Sequence, residues 1–340
     1  MYQRITLTAM LWFGVAATCL GEAARAEISL PARLRWVIFR IVSGRVVVLN
    51  GQYGQSMSKT RNRPALGRHE SFVIDVSTAA VSVRYQLTTD QFDLTAEFVD
   101  GQRARIYRQP RGNSPVVRVQ YDQPEAGQVT LSVGSDESSR QYFADSFWHL
   151  MLAAPEDCTR HLISILEHLR SNWHLQHCAE GIKDAMFYRA TSGALPDRKK
   201  WTVLVAALGS DHFHVRRHAE RELSRTGQAI VPFLKELGVG KLDAEQRFRV
   251  RRILAARSAP VDDTPDRVAA WLIDDRSAWL TLATADDPIR RELAAAQLSR
   301  LVGRRLDFDP QADRKTRGSQ IERLRRRIGS DPSKPPRQLR

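Results

Sequence analysis

The feature that most constrains this chain is a change of hydrophobic period near residue 140. Before it, short apolar runs alternate with polar residues. After it, apolar residues recur every three or four positions. Strand side chains alternate faces and helical ones repeat every 3.6 residues, so the two blocks belong to different kinds of secondary structure. Runs over 45–49, 71–75, 81–85, 95–99, 103–107, 116–119 and 129–133 are predicted strands. Asp100-Gly101 between two of them marks a hairpin, because both residues tolerate a positive φ. Helical spacing predicts helices near 143–153, 156–170, 175–190, 198–208, 212–226, 228–238, 244–257, 265–273, 276–284, 287–302 and 314–328, joined by short links. Short links force neighbouring helices antiparallel. The expected fold is therefore α+β and multidomain. An antiparallel β domain (sandwich or barrel) over 27–140 precedes an all-α superhelix of stacked helical hairpins over 141–330.

Within the helical block one segment is more specific than its period. Val215-Arg216, Ala219, Leu223, Gly227 and Pro232 are spaced as a helix, a glycine turn and a second helix. Ala219 admits a close neighbour, Leu223 fills the groove, Gly227 suits a left-handed cap, and Pro232 falls in the first turn or so of the next helix. Seventy-five residues later Asp286, Arg291, Ala294 and Leu298 repeat Asp211, Arg216, Ala219 and Leu223. The copy departs at Arg290, which replaces the valine, and at Gly303, which comes one residue late.

This pattern resembles a HEAT-like repeat, and residues 271–328 resemble the C-terminal part of exported bacterial HEAT-repeat proteins. The resemblance covers 209–328. It implies an α-solenoid of the armadillo type with a binding role rather than a reaction. Arg216 and Arg291 are then structural, expected to pair with acidic residues of the neighbouring repeat.

Residues 1–26 read as a secretory signal peptide: Arg4, a mainly apolar stretch to Leu20, and Ala24-Arg25-Ala26 before Glu27. The expected location is exported, periplasmic or secreted, with an uncleaved N-terminal membrane anchor as the alternative. Residues 331–340, with Pro332, Pro335 and Pro336, read as a disordered basic tail.

Three cysteines exclude a disulfide-dense scaffold, and 42% hydrophobic residues exclude a disordered chain. Cys158 and Cys178 form a possible disulfide in an exported protein. In an antiparallel hairpin turning near 172–173, however, they are offset by about 13 Å along the helix axis, beyond disulfide reach. On the same geometry His168, His174 and His177 converge, a weak metal candidate. His212, His214 and His218 are a second weak pattern. No nucleophile elbow, zinc-protease, phosphate-loop or dinucleotide motif is present in the sequence, so no cofactor is expected.

The formal net charge is +14, from 52 Lys and Arg against 38 Asp and Glu. Residues 304–340 carry +7 of it, while 141–303 carry only +2. Arg314, Lys315, Arg317, Arg323, Arg325, Arg326 and Arg327 crowd one helix, whose Ile321, Leu324 and Ile328 form an apolar stripe. That helix is a candidate partner-binding surface, or a charged cap of the solenoid. A second basic stretch, Lys59, Arg61, Arg63 and Arg68, reads as a mobile surface loop between 50 and 70.

The function expected is an exported, non-enzymatic binding or scaffold protein. It would hold a protein partner or acidic polymer of the cell envelope, with possible peripheral contact with an anionic surface and no DNA. The alternative is an envelope enzyme, or enzyme subunit, with its site in the cleft between β domain and helices.

Overall fold

The fold is taken from a computed structural model and is described for residues 29–34, 37–50, 55–77, 81–135, 138–192, 197–237, 242–257 and 261–329. The signal-peptide and tail readings lie outside the described residues.

Strand period translates directly into a sheet. A short helix α1 (Leu30–Arg33) leads into the hairpin β1 (Val37–Val42) and β2 (Arg45–Asn50). Eight strands follow: β3 (Met57–Arg63), β4 (Arg68–Val76), β5 (Val81–Thr88), β6 (Phe92–Val99), β7 (Arg103–Pro110), β8 (Arg118–Gln123), β9 (Val129–Gly134) and β10 (Ser139–Ala144). They pair in sequence order as one antiparallel meander. The alternation buries one row per strand, such as Leu94, Ala96 and Phe98 on β6 and Val129, Leu131 and Val133 on β9. Asp100 and Gly101 take left-handed φ of 52° and 62° at the β6–β7 turn, as a tight hairpin requires.

The hairpin β1–β2 lies on the buried face of the large sheet. Phe39 meets Phe98 edge-on at 5.3 Å. The buried Gln123 amide of β8 donates to Val46 O at 2.9 Å and accepts from Val46 N–H at 2.8 Å. Two sheets therefore face each other as in a sandwich, but the second is only a hairpin and helices complete the layer. The large sheet does not close into a barrel: among the described residues β3 and β10 each pair on one side only.

Two sequence expectations are corrected. The 50–70 loop contains a strand, β3, whose Arg61 reaches across to β4 and joins Arg68 of that strand on the buried Glu70 carboxylate. An edge strand needs no apolar alternation on its exposed side, so period gave no warning. The β region also runs past 140, because exposed β10 completes the sheet before Ser146 caps the first long-range helix.

The helices are α2 (Phe147–Ala153), α3 (Pro155–Asp157), a π-helical turn (Cys158–Ile163) running into α4 (Ser164–Leu169), α5 (Leu175–Thr191), α6 (Arg198–Ala207), α7 (Phe213–Arg225), α8 (Ile230–Glu236), α9 (Ala244–Arg257), α10 (Pro265–Leu272), α11 (Arg276–Leu282), α12 (Pro288–Val302) and α13 (Arg314–Gly329). Several start on side-chain caps: Ser146, Asp197, Thr264, Asp275 and Asp287 each accept a backbone N–H of the first turn.

Packing divides the helices in two. α5 packs directly on α10 and α12, although residues 197–257 intervene in sequence. Gly181 permits the crossing, since a Cβ there would stand 3.0 Å from Pro265. One continuous core joins the sheet, α2–α5 and α10–α13. Helices α6–α9 enclose a second core of their own, with Trp201, Leu208, Leu223, Ile230, Phe233 and Ile253 at its centre.

The two sequence copies fold alike. Arg216 Nη1 donates to the carbonyls of Ser210 (2.7 Å) and Asp211 (3.0 Å). Arg291 Nη1 donates to Ala285 (3.0 Å) and Asp286 (2.5 Å), the same positions 75 residues on. Ala219, Leu223, Ala294 and Leu298 are all buried, whereas Val215 is half-buried. Gly227 and Gly303 both turn left-handed after their helices. The Pro232 side chain lies outside the described residues; its backbone is in the first turn of α8. Arg216 also reaches Glu245 of α9 at 3.4 Å, but Arg291 binds the Pro310 carbonyl instead of an acidic residue.

Candidate functional site

Polar groups converge where the hairpin meets the helices. Ser43 and Gly44 turn β1 into β2 with φ of 53° and 73°. Their N–H groups both donate to the Asp263 carboxylate, at 2.8 and 2.7 Å, and Trp148 Nε1–H donates to it at 2.7 Å. The Asp263 N–H in turn donates to Ile41 O at 2.8 Å. Burial raises the Asp263 pKa, and the three donors only partly offset it. Gly44 is required here twice over: its φ is left-handed, and a Cβ would stand 2.5 Å from Ser146 Cβ.

A cavity of about 130 Å³ opens beside Asp263, walled by Ile41, Trp148, Trp173 and Leu175, with Arg170, Cys178 and Asp262 among its lining. Trp173 is carried by a turn in which Asn172 and His174 both have left-handed φ, an uncommon backbone for residues other than glycine. The Arg170 guanidinium stacks over Trp173 at 5.4 Å and donates to Phe39 O at 2.9 Å. Asp262 faces Arg40 and Arg170 at 3.7 and 3.6 Å. Burial pushes the Cys178 thiol up to about 11, with Asp263 and Asp262 adding to the shift, so it is not a thiolate at neutral pH.

Next to this seam lies a hydroxyl, imidazole and carboxylate in line. Ser146 Oγ is 2.8 Å from His149 Nδ1, and His149 Nε2 is 3.1 Å from Asp275 Oδ2. Burial opposes ionisation of Asp275, but hydrogen bonding to and the charge of His149, with donors from Ser277 and Ala278, hold its carboxyl well below the usual range. Ser146 is 4% exposed and caps α2, so no face of its hydroxyl is open to a substrate. The relay ties α2 to α11. Sequence spacing gave no sign of it, because Asp275 is 126 residues from His149.

The sequence-nominated residues fall elsewhere. Cys158 and Cys178 are free thiols, correcting the possible disulfide. Cys158 is buried against the Leu150 carbonyl of α2, while Cys178 lines the seam cavity. His168 is half-buried near Arg68 and Glu70, whereas His174 and His177 are exposed. Among the described residues no group of three His, Cys, Asp or Glu side chains is placed to hold a metal ion.

In α13, Ile321 and Leu324 are buried, and the Ile328 side chain lies outside the described residues. Two such side chains contribute about 2 kcal/mol each to docking. Arg314, Lys315, Arg323, Arg325, Arg326 and Arg327 are exposed, while Arg317 is half-buried and bonds the Ala312 carbonyl. Arg325 pairs with Glu322, the helix's one acid. Among the described residues no helix is long and apolar enough to cross a membrane. Comparison with protein families, with curated proteins and with solved structures found no match.

Proposed function

We propose that this chain is an exported, non-enzymatic binding or scaffold protein of the cell envelope. Its helical units act as HEAT-like repeats, and its basic C-terminal helix holds an acidic partner, a protein or a polymer. One observation carries this reading: α13 docks through Ile321 and Leu324 and turns nearly all of its cationic side chains to water. Guanidinium groups pair bidentately with carboxylate and phosphate, which suits such a partner. The paired Arg216 and Arg291 clamps support the repeat reading, since each rigidifies the turn before its helix.

The test is a pull-down from the envelope fraction at low and high salt with wild type and a variant carrying Arg314→Glu, Lys315→Glu and Arg323→Glu. Capture that falls with salt and with the variant is expected. Salt-independent capture, or capture that the variant retains, sinks the proposal.

The seam cavity is the observation that favours an enzyme as the second reading, because charged and aromatic groups line it. Its groups are already committed, however. Asp263 is held by three donors, Arg170 by Phe39 O and Trp173, and the Cys178 thiol is protonated. That arrangement supports a structural seam over a reacting centre. Turnover of any ester or glycoside substrate that Asp262→Asn abolishes would reverse the ranking.

A further inference from the structure

The helical block looks nearly neutral by sequence, yet the fold splits it into two parts of opposite sign. Residues 197–257, which form the separately cored lobe α6–α9, hold 14 Lys and Arg against 7 Asp and Glu. The remainder of 141–303 holds 9 against 14. The two excesses cancel in a count along the chain and do not cancel in space.

Among the described acids of the lobe, Glu220 is buried and Glu222 and Glu245 are half-buried in ion pairs, while Asp197, Asp211 and Asp243 are exposed on other segments than α7. Glu220 of α7 is buried and binds Arg249 of α9 at 2.5 Å and also Arg252. Glu245 binds Arg249 at 2.6 Å and Arg216 at 3.4 Å. Glu220 and the Glu245–Arg216 pair bridge α7 to α9, and the outer face of α7 carries arginines and histidines. His214, Arg217, His218, Arg221 and Arg225 are all exposed and lie at i, i+3, i+4, i+7 and i+11, which is one helix face. Arg225 pairs with Glu222, but Arg217 and Arg221 have no carboxylate within ion-pair distance among the described residues. The stripe runs for about 16 Å at 1.5 Å per residue.

We infer that the outer face of α7 is a second binding surface, for a linear polyanion lying along the helix. The inference rests on the reading of the protein as a binder of acidic partners, but not on α13. A line of three arginines interleaved with two histidine donors on a helix matches a chain of regularly spaced anions, whose binding releases counterions. A lipid surface fits less well. Helices that bind bilayers set several large apolar residues beside their cations, and α7 has one flanking this stripe, Phe213. The lobe's exposed rings Phe213 and Phe248 lie under the guanidinium groups of Arg216 and Arg252, at 5.9 and 5.7 Å.

The experiment uses the full chain and inorganic polyphosphate as probe, followed by fluorescence anisotropy from low to moderate salt. Four proteins are compared: wild type, Arg217→Glu with Arg221→Glu, the triple α13 variant, and the two sets combined. Circular dichroism checks that each is folded. The lobe variant should bind at least 10-fold more weakly. Its log–log salt slope should be shallower by about 1.4, from about 0.7 per lost contact to a single-stranded polyanion. The triple α13 variant should keep the lobe-dependent fraction. Binding lost with the α13 variant alone overturns this inference and leaves the α13 reading standing. Binding lost with neither variant overturns both. Tighter, Arg217- and Arg221-dependent capture on anionic phospholipid vesicles than on polyphosphate would make the occupant a membrane and overturn the polymer.

Discussion

The main body and the α6–α9 lobe solve the same packing problem differently. The body pools its apolar residues: strands, hairpin and helices share one core, and the buried Asp263 and half-buried Asp275 pin distant segments together. Among the described residues the lobe has ten buried apolar side chains in its core, and it ties its helices with the Glu220–Arg249–Arg252 bridge. The body adds to its large core carboxylates held by backbone and side-chain donors. The lobe's smaller core is supplemented by charge pairs between α7 and α9.

The largest effect is expected in the body. Asp263→Ala leaves the N–H groups of Ser43, Gly44 and Trp148 without an acceptor, and should cost about 3–5 kcal/mol in urea unfolding. A loss under 1 kcal/mol would mean that the seam does not hold the body together. In the lobe, Leu223→Ala should cost about 3 kcal/mol. Hydrogen exchange should then rise across 197–257 while β5–β9 stay protected. Uniform deprotection of both regions would break the division into two cores.

Gly44→Ala should cost about 1–2 kcal/mol, from the left-handed φ and the approach to Ser146. The pH dependence follows from Asp275. Its folded pKa is depressed, so its contribution is fully present above the unfolded value of about 3.9 and is lost as pH falls toward the folded one. Asp275→Asn should flatten the acid limb of a pH–stability curve. Asp263, shifted upward, acts in the opposite sense, so the single variant is needed to read Asp275 alone. The smallest effect belongs to the α7 face: Arg217→Glu with Arg221→Glu should change thermal stability by under about 0.5 kcal/mol, because neither side chain bridges helices. A large loss would mean that the stripe is structural.

Much of the architecture was legible because period is a local property. The spacing over 244–257 and 198–208 marks the helices Ala244–Arg257 and Arg198–Ala207. The alternation in 81–85 and 95–99 marks β5 and β6. The repeat positions were legible too, since Ala219 and Leu223 serve the same short-range packing as Ala294 and Leu298. Strand β3 was hidden because its outward side chains are basic and its inward pairing is with one buried acid, Glu70. The seam was hidden more deeply. Nothing near Asp263 in sequence announces that it serves a turn about 220 residues earlier.

The amino-acid order alone marked the helices and most of the strands, the two matching segments 75 residues apart, and how many charges of each sign are available. Those properties depend on neighbours a few residues away. Only the folded structure shows that α5 meets α10, that Asp263 and Asp275 become clasps, and that the cation-rich segment 197–257 closes over a core of its own. Each of these depends on contacts between residues far apart in the chain. Such contacts are selected by how apolar faces close over one another, and local patterning carries no record of that closure.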